Sequence, residues 1–333
     1  MNLTKYPIRS VIAMLFALIG IVIIVSNTGA MDLSFKVLWS RPISDPLWQI
    51  WLNIRLPRIV LAILVGLALA VSGTIMQGLF RNSLADPSLL GISSGAAFSV
   101  AIFIVFSISL PDTLQNYGYI GAAFIGSLFV SILIFSLNRY SNGNLTTLLL
   151  AGIAINALAM SLIGVLSYIS DDQQLRTFSL WMMGTLVNGD WSLITVAATV
   201  ILLTCFICLW QSNKLNILQL GDEDAHYLGL NVAQTKFILL FLSALLIGCA
   251  VAMSGVIGFI GLVIPHLVRM TLGADHRWLI VGSALAGAIL LLMADTLART
   301  LVTPAEIPVG LITGLIGAPY FLWLILRKAN RRH

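Results

Sequence analysis

Ten apolar runs divide the chain, and polar or glycine- and proline-rich breaks separate them. They cover residues 9–30, 57–80, 90–108, 117–137, 146–168, 191–210, 235–253, 256–272, 279–298 and 307–326. Most approach the ~20 residues an α-helix needs to cross the hydrocarbon of a bilayer. None alternates apolar and polar positions with the period of two that a membrane β-barrel requires. The eighth run is short and follows the seventh after a Ser254-Gly255 turn alone. Small residues recur inside the runs: Gly66, Ala70 and Gly73, then Gly121, Ala122 and Gly126, then Gly258 and Gly261. Such positions let helix backbones approach closely in lipid. The pattern predicts an all-α, polytopic membrane protein of about ten transmembrane helices, forming one domain over residues 1–333.

Composition agrees. The chain is 59% hydrophobic and 9% charged, with mean hydropathy +1.00. A soluble domain carries about 25% charged residues, so this sequence cannot clothe a water-facing surface. The formal charge of +5 then reflects basic cytoplasmic loops rather than a nucleic-acid partner. Lys5 and Arg9 precede the first run as they would in a signal peptide, but its length suits a retained span. Ten spans place both termini on one side. Twelve of the 18 lysines and arginines fall on that side and six on the other, so both termini are expected in the cytoplasm. Four of the exceptions, Arg55, Arg58, Arg176 and Arg299, fall at or near outer helix ends. Five spans per half would give the halves opposite orientation, as in inverted-repeat transporters, although no sequence repeat marks it.

Catalytic chemistry is missing from the pattern. No lysine follows a glycine, so there is no GxxxxGK[ST] phosphate cradle, and no HExxH zinc motif occurs. An enzyme is not expected. Cys205 and Cys208 form a CxxC inside an apolar run, where they read as small buried hydrophobes. His266 and His276 lack metal-ligand spacing. Pro265 should kink or end a helix. Ion-coupled transport usually needs ionisable groups at mid-membrane. Here Asp295 and Glu306 lie near outer span ends, and Asp295 has Arg299 four residues on as a ready partner. An ion-coupled secondary transporter is therefore the rival class to a transporter driven by a separate ATPase.

Several segments favour the second. Arg55 to Ala96 joins two arginines, a glycine-rich span, a polar turn and the next span. Arg81 to Pro87 closes that span, and Pro87 fixes the turn before the next one. Residues 220–232, LGDEDAHYLGLNV, form the longest polar break on the cytoplasmic side. Gly258 to Arg277, Glu306 to Gly310 and Gly317-Ala318-Pro319 follow in order. Over nearly its whole length the chain resembles the iron-chelate and cobalamin permeases, the membrane subunits of type II ABC importers, with Ser83 where that family usually has proline. The resemblance implies a pore between two permease copies, two ATPase subunits below and one soluble binding protein above, at the inner membrane. Some relatives pair with a different permease instead. It also implies that this chain binds no cofactor and that the partner subunit hydrolyses ATP. Residues 219–233 would be the coupling segment that docks in the ATPase, with Asp222, Glu223, Asp224, Ala225, Leu228 and Gly229 at its centre. Three acids suit a helix N-terminus, and Ala225 with Leu228 gives a small apolar face. Arg55, Arg58 and Arg299 stand where the family meets acidic residues of the binding protein.

The cargo is written less clearly. Ser170 to Trp191, SDDQQLRTFSLWMMGTLVNGDW, falls between the fifth and sixth runs. A DDxQLR run followed by an aromatic residue, Trp and Met-Gly resembles the haem permeases most. The resemblance implies a short helix and turn at the pore mouth. Arg176 would meet haem propionates there, beside the adaptable side chains of Met182 and Met183. Asn156, with Ser161, is a further candidate for the substrate path. Ferric siderophore and cobalamin remain the alternative cargoes.

Overall fold

Each apolar run becomes a helix. The computed structural model describes residues 7–28, 39–42, 45–106, 111–140, 145–187, 189–302 and 305–330. Lys5, Lys36, Arg331, Arg332 and run ends 29–30 and 107–108 lie outside the described residues. In chain order the helices are α1 (Pro7–Asn27), α2 (Pro46–Leu79), α3 (Ile92–Val105), α4 (Asp112–Tyr140), α5 (Leu145–Ile169), α6 (Asp172–Met182), α7 (Trp191–Trp210), α8 (Ser212–Leu218), α9 (Asp222–Tyr227), α10 (Val232–Ser254), α11 (Ile260–Leu272), α12 (His276–Thr300) and α13 (Val309–Asn330). Seven are long and apolar enough to cross a membrane. With the shorter apolar helices α3, α11 and Val309–Trp323 of α13, they account for all ten runs. The fold is all-α, with no strand among the described residues.

The centre of the bundle is α2. It is buried along nearly all of Leu56–Leu79 and packs most extensively on α12, then on α10 and α11. Its outer layer includes α1 and α7, whose exposed Phe16, Ile24, Leu203 and Phe206 find lipid rather than water. The helix starts eleven residues before the predicted span. Pro46 sets its first turn, Asp45 caps it, and a π-turn occupies Trp51–Arg55. Arg81, in a left-handed conformation (φ 48°), ends it.

Glycine sets the closest helix contacts. A Cβ on Gly66 would lie 2.4 Å from the carbonyl oxygen of Gly287 in α12, and one on Gly73 would lie 1.9 Å from that of Gly261 in α11. Pro265 has no N–H to offer the Gly261 carbonyl. That oxygen instead faces Gly73, and α11 runs on through Pro265 to Leu272, so the proline does not end the helix. Gly126 meets Gly95 and Ser99, whereas Gly121 and Gly258 have nothing within 4 Å. Polar links reinforce the same seams: Ser72 Oγ lies 2.7 Å from Ser243 Oγ, and Gln77 Nε2 donates to Leu262 O at 3.0 Å. Gly73→Ala is therefore expected to destabilise the purified chain by about 1–3 kcal/mol through overpacking. Gly121→Ala should be neutral or stabilising, because Ala is the better helix former. Thermal unfolding in detergent checks both; equal melting temperatures for the two variants would contradict the packing account.

The α10–α11 junction differs from the two-residue turn expected. Residues 255–259 are unwound, with Gly255 and Phe259 both left-handed (φ 69° and 68°). A Cβ at Gly255 would lie 2.2 Å from the Trp181 carbonyl oxygen at the end of α6. Backbone outside a helix is tolerated at membrane depth only inside protein or beside a cavity, and here the link does both.

Candidate functional site

Three polar constellations stand out, one at each end of the bundle and one in a cleft. At the first end, α2 and α12 are locked by charge. Arg58 donates from Nε to both oxygens of Asp295 (3.0 and 3.1 Å) and from Nη2 to Oδ1 (2.8 Å). Its Nη1 donates to Glu306 Oε2 at 2.8 Å. Arg299, one helical turn beyond Asp295, places Nε 3.1 Å from the other carboxylate oxygen. Asp295 is fully buried. Of the three arginines expected at this end, Arg58 and Arg299 thus converge on one carboxylate. Arg55 does not join them. It is buried and donates to the carbonyl of Ser26 at 3.2 Å. The π-turn ending at Arg55 shifts the phase of α2 just before Arg58, so spacing alone could not show that the two arginines part.

The second constellation lies where α2 ends. Asp222, the first residue of α9, is gripped by Arg81 and by Lys236 of α10. Lys236 is buried, so Asp222 is its compensating charge as well as a helix start. Gln219 Nε2 donates to Gly78 O at 2.8 Å, and Asn216 Nδ2 donates to Asp275 Oδ1 at 2.7 Å. Asn216 Oδ1 in turn accepts the backbone N–H of His276 at 2.9 Å. Burial raises the pKa of Asp275, but its bonds from Asn216 and Arg277 outweigh burial and hold the carboxyl below its ordinary value. The short segment α8–α9 is therefore tied to α2, α10 and α12 at once. Glu223, Asp224 and Gly229 are exposed. Ala225 is buried against the chain itself, while Leu228 is 62% and Tyr227 84% exposed. Ala225 and Leu228 do not share an outward face; the apolar surface on offer is Tyr227 and Leu228.

A cleft of about 410 Å³ forms the third. Its walls include Ser167 of α5, Leu175, Phe178 and Met182 of α6, Met183, Val256 of the unwound link, and Gly310 of α13. Asp171 caps α6 in a reciprocal capping box with Gln174. That leaves Arg176 exposed and without an ion pair among the described residues. Arg176, Ser179 and Met183 follow one another at i, i+3 and i+7, which puts Arg176 on the flank of the cleft. Asn156 and Ser161 are exposed on α5 and do not line it. Two glycines make close contacts at the cleft. A Cβ on Gly310 would meet the Met183 carbonyl oxygen at 2.3 Å, and one on Gly184 would meet that of Val256 at 2.8 Å. Their sequence signal was the glycine in each of the Met-Gly and Pro-Val-Gly motifs.

The model of the FecCD transport family matches residues 12–327. The hemin transport system permease protein HmuU of Yersinia pestis is 64% identical over 320 residues, covering 95% of this chain and 96% of that protein. The cobalamin import system permease protein BtuC of Halobacterium salinarum is 42% identical over 280 residues, covering 84% of this chain and 74% of the relative. Among solved structures, a metal-chelate type ABC transporter in an inward-facing conformation superposes with a TM-score of 0.85 at 35% identity, covering 95% and 98% of the two chains.

Proposed function

The chain belongs to the FecCD transport family, and on that premise we propose that it is the permease subunit of an ABC importer that carries haem across the inner membrane. The observation that carries the cargo is the 64% identity, over 95% of the chain, to a hemin permease. A multi-pass membrane permease has no need of its own catalytic site. ATP is hydrolysed by two copies of a partner ATPase seated on α9, and no cofactor is held by this chain. Two permease copies form the pore. The Asp222 end faces the cytoplasm with both termini, and the Arg58 end faces a soluble binding protein.

The residues divide by role. Asp222, Glu223, Asp224, Ala225, Leu228 and Gly229 form the coupling segment: Asp222 and Ala225 anchor it to the bundle, Leu228 reaches into the ATPase, and Gly229 (φ 82°) turns the chain. Arg58 and Arg299 serve docking, and Arg55 supports them from inside. The cleft offers haem what its chemistry asks for. Met182 and Met183 give a soft apolar wall, and Arg176 gives a guanidinium fork for a propionate carboxylate. Asn156 lies further along the path on α5.

Arg176 provides the test. With Arg176→Glu, a propionate meets a like charge in place of a bidentate donor. ATP-driven haem uptake into liposomes is expected to fall by about 10-fold or more, the size of a lost charged hydrogen bond plus repulsion. ATPase association should be unchanged, since Arg176 lies at the opposite end of the bundle. Undiminished haem uptake would remove Arg176 from the path.

A further inference from the structure

The charges of the cluster between α2 and α12 cancel. Arg58 and Arg299 bring two positive charges, Asp295 and Glu306 two negative ones, and all four belong to one cluster. Arg55 adds nothing to the surface, being buried on Ser26. A partner that approaches this cluster meets little net field from it, so simple attraction to a positive rim is not what its geometry offers.

The two carboxylates are held very unequally. Asp295 has a side chain 1% exposed, takes three hydrogen bonds from Arg58 and is shared with Arg299. Glu306 has a side chain 44% exposed and touches the cluster through one bond, Arg58 Nη1 to Oε2. Asp295 is a fixed part of the seam between α2 and α12. Glu306 occupies the one corner of the Arg58 guanidinium that faces outward.

We propose that Glu306 holds the place on Arg58 that a carboxylate of the binding protein takes on docking, so that docking is an exchange of carboxylates. The inference rests on the docking reading above. Arg58 keeps its bonds to Asp295 throughout, and only Nη1 changes partner. Glu306 goes to water, which costs little for a side chain already half in it. The exchange selects for a partner that presents an acid at the height of Arg58, and a partner without one leaves the cluster closed. It also reaches the cleft: Glu306 lies four residues before Gly310, which lines it, and the backbone N–H of Ile307 is pinned to Ala298 O at 3.1 Å.

The test is affinity for the haem-binding protein of the same transporter, measured on the permease–ATPase complex in nanodiscs at two salt concentrations. Glu306→Gln removes the competing charge and leaves the cluster at +1. Affinity should rise about fivefold, with steeper salt dependence, from the loss of one exposed ion pair. Glu306→Asp keeps the competitor and should bind within about twofold of the natural chain, which controls for folding. Arg58→Glu should weaken binding at least about tenfold. Weaker or unchanged binding by Glu306→Gln, with Arg58→Glu still impaired, overturns the exchange and leaves docking at this end intact. Unchanged binding by Arg58→Glu overturns both.

Discussion

Asp295→Ala strips the shared carboxylate from two arginines whose side chains are 11% and 9% exposed. Breaking a buried pair by removing one partner costs about 3–5 kcal/mol, because the remaining charge is left uncompensated. Here one acid answers to two bases, and α2 and α12 lose their outer clamp together, so the upper end of that range is expected. The purified variant should melt well below the natural chain in detergent. Removing Arg299 as well should restore part of the loss, because Arg58 then has Glu306 and no buried rival. A double-mutant cycle measures that coupling. If Asp295→Ala melts with the natural chain, the cluster is not a structural clamp and its arginines need another account.

Replacing Asp222–Gly229 by a short Gly-Ser linker should leave the bundle folded and end its association with the ATPase. The segment is a polar appendage: Glu223, Asp224, Tyr227 and Leu228 face outward, and only Ala225 is buried within it. Its loss uncovers Lys236 and frees Arg81, a modest cost beside the intact seams at Gly66, Gly73 and Ser72. Co-purification of the ATPase should fall to background while expression of the permease persists. Asp222→Ala is the subtler variant. It keeps the helix but cuts both tethers, so the ATPase can still seat while its motion no longer reaches α2 and α10. ATP-driven uptake should drop by about 10-fold or more, the equivalent of losing one charge-assisted anchor. Full uptake by this variant would show that force enters the bundle elsewhere.

The spans were legible because hydropathy over ~20 residues is a strong signal in lipid. Shorter features were not. The start of α2 carries Gln49, Asn53 and three aromatic or basic residues, so it reads as a loop, and no pattern announces a π-turn. Helix α8 has seven residues behind Gln211, too few for periodicity to show. The i, i+4 pair of Asp295 and Arg299 could be read directly. Its third member could not, since Arg58 lies 237 residues away and only the packing of α2 on α12 brings it there. The same limit hid the bond of Asp222 to Arg81 and the burial of Arg55. Glycines in the runs marked close packing correctly at Gly66, Gly73 and Gly126. Gly121 shows the limit of that signal: a small residue permits an approach without requiring one.

The central claim is that this chain passes haem in response to ATP hydrolysed by its partner. Uptake into proteoliposomes holding the permease, its ATPase and its haem-binding protein tests that most directly, with haem, a ferric siderophore and cobalamin offered separately, with and without ATP. The account predicts haem inside the liposomes only when ATP is present, and neither of the other cargoes. Siderophore or cobalamin uptake without haem would contradict the reading of the 170–191 segment, and uptake of haem that ignores ATP would contradict the mechanism itself.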